Sequence, residues 1–118
     1  MRLMSFSITT RQARDRTKSV TRRNGWLTAR AGDVIQQVEK AMGLKKGEKI
    51  VRIHKIRVIG VRREWLRRMV DEPAYGRCEV ILEGFPNFTP QEFVDLYCQA
   101  NKCTPDSLVT RISFEYLD

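Results

Sequence analysis

Hydrophobic and polar residues alternate with a period of two along much of this chain, which predicts strands with short helices between them. Leu3 to Ile8 alternates loosely and reads as a first strand, and Thr9-Thr10 can cap a short helix reaching about Asp15. Asn24-Gly25 and Gly32-Asp33 then break the chain. In the next strand, Val34 to Lys40, the residues Val34, Gln36 and Val38 share one face, and Ile35, Gln37 and Glu39 the other. The longest strand signal runs from Ile50 to Val61. Its apolar phase starts on Val51 and Ile53 and slips to Ile56 and Val58, which a bulge near His54-Lys55 accounts for.

The second half carries more helix. Glu64 to Val70 reads as a short helix with Trp65, Leu66 and Met69 on one side, Trp65 being the expected core anchor. Asp71 to Gly76 contains Pro73 and Gly76 and reads as a loop, while Arg77 to Leu82 fits a helix or a strand equally well. Thr89-Pro90-Gln91-Glu92 predicts a helix start: Thr89 as N-cap, Pro90 in the first turn, Glu92 closing a capping box, and Phe88 set against Phe93 as a staple. Phe93, Leu96, Tyr97 and Ala100 form its apolar stripe, and the stretch from Asn101 to Ser107, with Pro105, ends it. Leu108 to Leu117 closes the chain as an alternating strand with Leu108, Ile112, Phe114 and Tyr116 inward. These segments predict an α+β fold, a small mixed-to-antiparallel barrel of about five or six strands with short helices on its rim.

With 118 residues, 42% of them hydrophobic, the chain suits one domain with a single modest core. No apolar run approaches the length of a membrane span, and Met1 to Ser5 lacks the apolar stretch of a secretory signal, so the expected location is the cytoplasm. Cys78, Cys98 and Cys103 are odd in number and form no Cys-x-x-Cys pair. Free thiols are expected, with no metal and no cofactor, and the single histidine, His54, is expected as a satisfied or exposed strand residue.

Charge changes the picture. The chain is basic, with a formal net charge of +8, and unevenly so: up to Val70 there are 19 Lys and Arg against 5 Asp and Glu, and beyond it 3 against 9. A regional cationic excess of this kind attracts polyanions, of which nucleic acid is the commonest; a membrane surface ranks lower because no long amphipathic helix is present. Within the basic half, Arg16-Thr17-Lys18-Ser19-Val20-Thr21-Arg22-Arg23 packs four cations and three hydroxyls into eight residues just before Trp26. It reads as a turn. Lysine and arginine suit phosphate, and an indole offers a face on which a base can stack. A solvated basic turn is the plain alternative.

Four motifs occur in order: Lys18-Ser19-Val20-Thr21-Arg22-Arg23, then Gly32-Asp33-Val34, then Gly43-Leu44-Lys45-Lys46-Gly47-Glu48, then Glu83-Gly84-Phe85 ahead of Thr89-Pro90-Gln91-Glu92-Phe93. Together they resemble the ASCH (activating signal cointegrator homology) domain, in the short stand-alone form found in bacteria and their phages. The resemblance covers almost the whole chain and implies one domain over residues 1–118, a PUA-like barrel, and a cleft for RNA or a modified nucleoside. Some members of that family are N4-acetylcytidine amidohydrolases and others are ribonucleases. By motif, the amidohydrolase set of lysine, threonine and glutamate falls on Lys18, Thr21 and Glu83, with Arg23 beside them. Arg16, Ser19, Arg22, Arg23, Trp26, Lys45 and Lys46 are the expected binding residues. Ser19 and Arg22 depart from the amidohydrolase members, which carry Thr and a β-branched apolar residue there. RNA or nucleotide binding is therefore the leading reading, with an ASCH-type hydrolase, or a factor that docks on an acidic protein, as alternatives.

Overall fold

The computed structural model describes residues 1–117. The strands are β1 (Arg2–Ser5), β2 (Val20–Arg23), β3 (Val34–Val38), β4 (Arg52–Trp65) and β5 (Leu108–Tyr116). The helices are α1 (Thr10–Arg14), α2 (Arg68–Asp71), α3 (Pro73–Leu82) and α4 (Pro90–Asn101). The strands form one mixed sheet in the order β1-β3-β4-β5-β2, in which only β1 and β3 run parallel, and the sheet curls into a half-barrel. The two edges are joined by a side chain: Nη1 of Arg23, on β2, donates to the carbonyl of Ser5, on β1, at 2.6 Å.

Two apolar cores lie on the two faces of the sheet. Met4, Phe6, Ile35, Ile56, Ile112 and Phe114 fill the half-barrel, while Val109, of opposite phase on β5, joins Leu66, Met69, Val80, Phe93 and Val94 under the helices. β5 therefore serves both cores. This division corrects the inward set expected on the last strand: Ile112 and Phe114 are buried, but Leu108 is 41% exposed and Tyr116 only half-buried.

The slip expected in the long strand is present. Gln36 pairs with Lys55 but Val38 with Arg52, so β4 carries one extra residue in that interval, and a second irregularity lies between Val58 and Gly60. His54 sits there with Nε2 3.1 Å from the Arg14 carbonyl and its ring edge-on to Tyr116. On β3 the expected alternation fails, since Ile35, Gln36, Gln37 and Val38 are all buried in the middle of the sheet.

Three element assignments differ from the sequence reading. β4 runs on through Glu64 and Trp65, so the expected helix shrinks to α2. Strand alternation then turns Glu64 inward and leaves Trp65 56% exposed rather than anchoring the core; Leu66 and Met69 are fully buried. The segment expected as a loop at Asp71 to Gly76 is the start of α3, in which Pro73 occupies the first turn, where its missing N–H costs nothing. Gly76 lies inside that helix because a Cβ there would stand 1.9 Å from the backbone oxygen of Met69. Finally, the basic stretch expected as a turn contains β2.

α4 begins as its sequence predicts: Thr89 Oγ1 accepts from the Glu92 amide at 3.1 Å, Glu92 Oε1 accepts from the Thr89 amide at 2.9 Å, and Phe88 and Phe93 both pack on Phe85. Among the described residues no helix is long and apolar enough to cross a membrane, the cysteines are free, and no cluster of His, Cys, Asp and Glu could hold a metal ion.

Candidate functional site

β2 sorts its side chains by the pairing it makes with β5. Thr21 stands opposite Ile112 and Arg23 opposite Thr110, both on the half-barrel side, whereas Arg22 stands opposite Arg111 on the helix side. Just before β2, the Ser19 amide donates to the Leu82 carbonyl at 2.8 Å and ties the strand to the end of α3. That bond brings Glu83, the C-cap of α3, beside Lys18. Gly84 makes the approach feasible. It has φ of +95°, and a Cβ there would meet the Gln12 side chain at 2.7 Å and Lys18 Cβ at 3.4 Å.

Glu83 is 1% exposed, with both carboxylate oxygens engaged. Lys18 Nζ donates to Oε1 at 2.5 Å and to the Glu83 carbonyl at 3.0 Å, while Arg22 Nη1 donates to Oε2 at 2.8 Å. Nη2 of Arg22 reaches Glu64 at 2.9 Å and Glu79 at 2.5 Å, and Arg111 grips both oxygens of Glu79. Arg23 Nε donates to Thr21 Oγ1 at 3.0 Å, leaving the threonine proton to point elsewhere. Burial pushes the Lys18 ammonium below the ordinary lysine value; Glu83 opposes this, and Arg23 and Arg22 add to it. Burial also brings Arg23 down to about 10, still a cation at neutral pH. For Glu79, burial acts upward, but Arg111 and Arg22 outweigh it and hold the carboxyl at about 2.

Lys18, Thr21, Arg22, Arg23 and Glu83 border one cavity of about 100 Å³. Its lining is also apolar in part: Phe6, Phe85 and the stripe of α4 formed by Phe93, Leu96, Tyr97 and Ala100 border it, together with Ser5 and Ser7. The Tyr97 hydroxyl donates to Asn24 at 2.7 Å, which holds the ring in place. The stripe was visible in the sequence as the buried side of a helix, but nothing there distinguished a cavity wall from a core. Arg22, also expected to bind ligand, has its guanidinium engaged by Glu64, Glu79 and Glu83 and no side-chain surface in water. Trp26 borders a neighbouring groove; Arg16, Ser19, Lys45 and Lys46 border neither hollow.

No family model matches this sequence, and no curated protein matches it. Two solved structures share its small fold. Hypothetical protein PH0355 superposes over 98% of this chain and 95% of its own, with a TM-score of 0.61 and 16% identity. Protein EF3133 from Enterococcus faecalis V583, described as DUF984, covers 92% of this chain and 69% of its own, with a TM-score of 0.58 and 15% identity. At these identities the likeness is one of fold alone.

Proposed function

We propose that this chain is an RNA- or nucleotide-binding protein of the ASCH type, a PUA-like domain over residues 1–118 whose cavity takes a nucleobase. The observation that carries this reading is the meeting of Lys18, Thr21, Arg23 and Glu83, drawn from remote stretches, around a hollow that is also lined by apolar and aromatic side chains. A planar base needs both. Phe85 and the α4 stripe cover its faces, the Thr21 hydroxyl donates to its edge, and Glu83, whose two oxygens have lone pairs beyond those used by Lys18 and Arg22, accepts from an exocyclic amine. Binding of labelled single-stranded RNA, followed by anisotropy, tests it: affinity is expected to fall steeply between about 50 and 200 mM salt, and Thr21→Val to lower it about tenfold. A flat salt response together with unchanged affinity in Thr21→Val refutes the reading.

Lys18, whose basicity burial lowers, lines the same cavity as the Thr21 hydroxyl, and this favours one second reading, hydrolysis of an acylated exocyclic amine such as that of N4-acetylcytidine. Thr21 Oγ attacks the amide carbon as its proton passes to the neutral amine of Lys18. Arg23 stabilises the oxyanion, and the proton returns to the leaving nucleobase nitrogen. Water then cleaves the acyl-threonine to acetate. Release of acetate by the wild type, and none by Thr21→Ala or Lys18→Met, is the expected result. Equal release by all three assigns the activity to a contaminant.

A further inference from the structure

The cavity at Lys18 and Glu83 shares two lining residues, Ser5 and Ser7, with a second, wider groove of about 580 Å³, whose other walls include Arg2, Trp26, Lys40 and Met42. Its chemistry differs from that of its neighbour. Among the described residues no acidic side chain borders it, whereas in the first cavity every cation stands near Glu83. Arg2 is exposed and bonded only weakly to Thr28 at 3.2 Å, and the nearest carboxylate oxygen recorded for Lys40, on Glu48, lies at 3.6 Å. Both cations therefore have charge to offer a ligand.

Between them stands an aromatic platform. Trp26 is half-buried, with its side chain packed against the half-barrel core, which limits the freedom of its indole. The Arg2 guanidinium lies 3.9 Å from the centre of that ring, and the two flat groups make a stacking surface at the mouth of the groove. Met42, 83% exposed, adds an apolar flank.

A free nucleoside fills one hollow and has no use for a second, cationic one. A strand does. We propose that this groove is the subsite for the nucleotide next to the one in the Lys18–Glu83 cavity, so that the true ligand is a single-stranded polynucleotide. Its backbone crosses Ser5 and Ser7, the neighbouring base stacks at Arg2 and Trp26, and the phosphate on the far side of that neighbouring nucleotide meets Lys40. This rests on the nucleobase reading of the first cavity and adds the class of ligand to it.

The test compares a nucleoside monophosphate with a short oligonucleotide containing the same base, as RNA and as DNA. The expected result is that the wild type binds one of the two oligonucleotides more tightly than the monophosphate. Trp26→Ala and, separately, Lys40→Gln should each remove about tenfold of that gain and leave monophosphate binding unchanged. Lys40 is half-buried with 41% of its side chain in water, and Lys40→Gln keeps most of its length, so the replacement should leave the fold intact. In a Trp65→Phe background, Trp26 is the only indole, and its fluorescence should be quenched by the oligonucleotide and not by the monophosphate. Monophosphate binding with no gain from either oligonucleotide, or equal losses for both ligands in Lys40→Gln, overturns the subsite and leaves the nucleobase reading standing. No binding of any of these ligands overturns both.

Discussion

Glu83 shows how a single carboxylate organises this protein. It accepts from Lys18 and Arg22 where water is nearly absent, so removing it strands two buried cations. Breaking a buried ion pair from one side costs about 3–5 kcal/mol, and Glu83→Ala is expected to lose about that much in urea unfolding. Thr21→Val retains a β-branched strand residue and leaves one Arg23 N–H unpaired, so its stability cost should stay near 1 kcal/mol while ligand binding falls. The contrast separates a group on which the fold also depends from one that chiefly faces the ligand. Trp65 makes the opposite point: with more than half its surface in water, Trp65→Ser should shift stability by less than about 1 kcal/mol, where a truly buried Trp would cost about 3–5 kcal/mol.

At the level of elements, local signals succeeded where they act within one turn. The capping box of α4 is complete in four consecutive residues, and the structure forms it bond for bond. α3 was illegible for the converse reason. Pro73 and Gly76 look like loop punctuation, but the first is tolerated in a helix's opening turn and the second is required by the Met69 carbonyl of α2, a contact no local pattern records. Gly76→Ala is expected to destabilise the helix layer by about 3 kcal/mol or more, despite alanine's better helix propensity, because backbone has to move. Gly84→Ala should act on the site itself. Its positive φ and the contact with Gln12 leave no room for a methyl group, so Glu83 is expected to shift and ligand affinity to drop even where the fold survives.

Across the whole molecule, the division between a basic first half and a more acidic second half has an internal purpose. Lys18 and Arg22 meet Glu79 and Glu83, Arg67 meets Asp106, and Arg57 meets Glu115, so part of the cationic excess is neutralised by folding rather than offered to a partner. At the groove beside Trp26 that pairing is thinner: among the described residues no carboxylate lines it, and Lys40 has only a long ion pair with Glu48 at 3.6 Å. The same pairing sets an acid limit on stability. The Glu79 carboxyl, held at about 2 in the fold against an ordinary 4.5, contributes stability in full above pH 4.5 and loses it as the pH falls from 4.5 toward 2. Unfolding free energy should therefore decline through that window, and Glu79→Gln should be less stable than the wild type near neutral pH and show a shallower decline.

Period-two alternation, the slip near His54 and the cap at Thr89 were enough to specify an α+β chain with a long bent strand and a well-started final helix, because these depend on neighbours within a few residues. The ordered motifs also singled out Lys18, Thr21, Arg23 and Glu83 as a group. Only the tertiary structure decided that Arg22 is buried scaffold while Thr21 and Arg23 face the cavity, that the α4 stripe is a cavity wall, and that Trp65 is outside. Each of those outcomes follows from which strand lies beside which: β2 against β5 fixes the face of every β2 side chain, and that pairing joins residues about ninety positions apart.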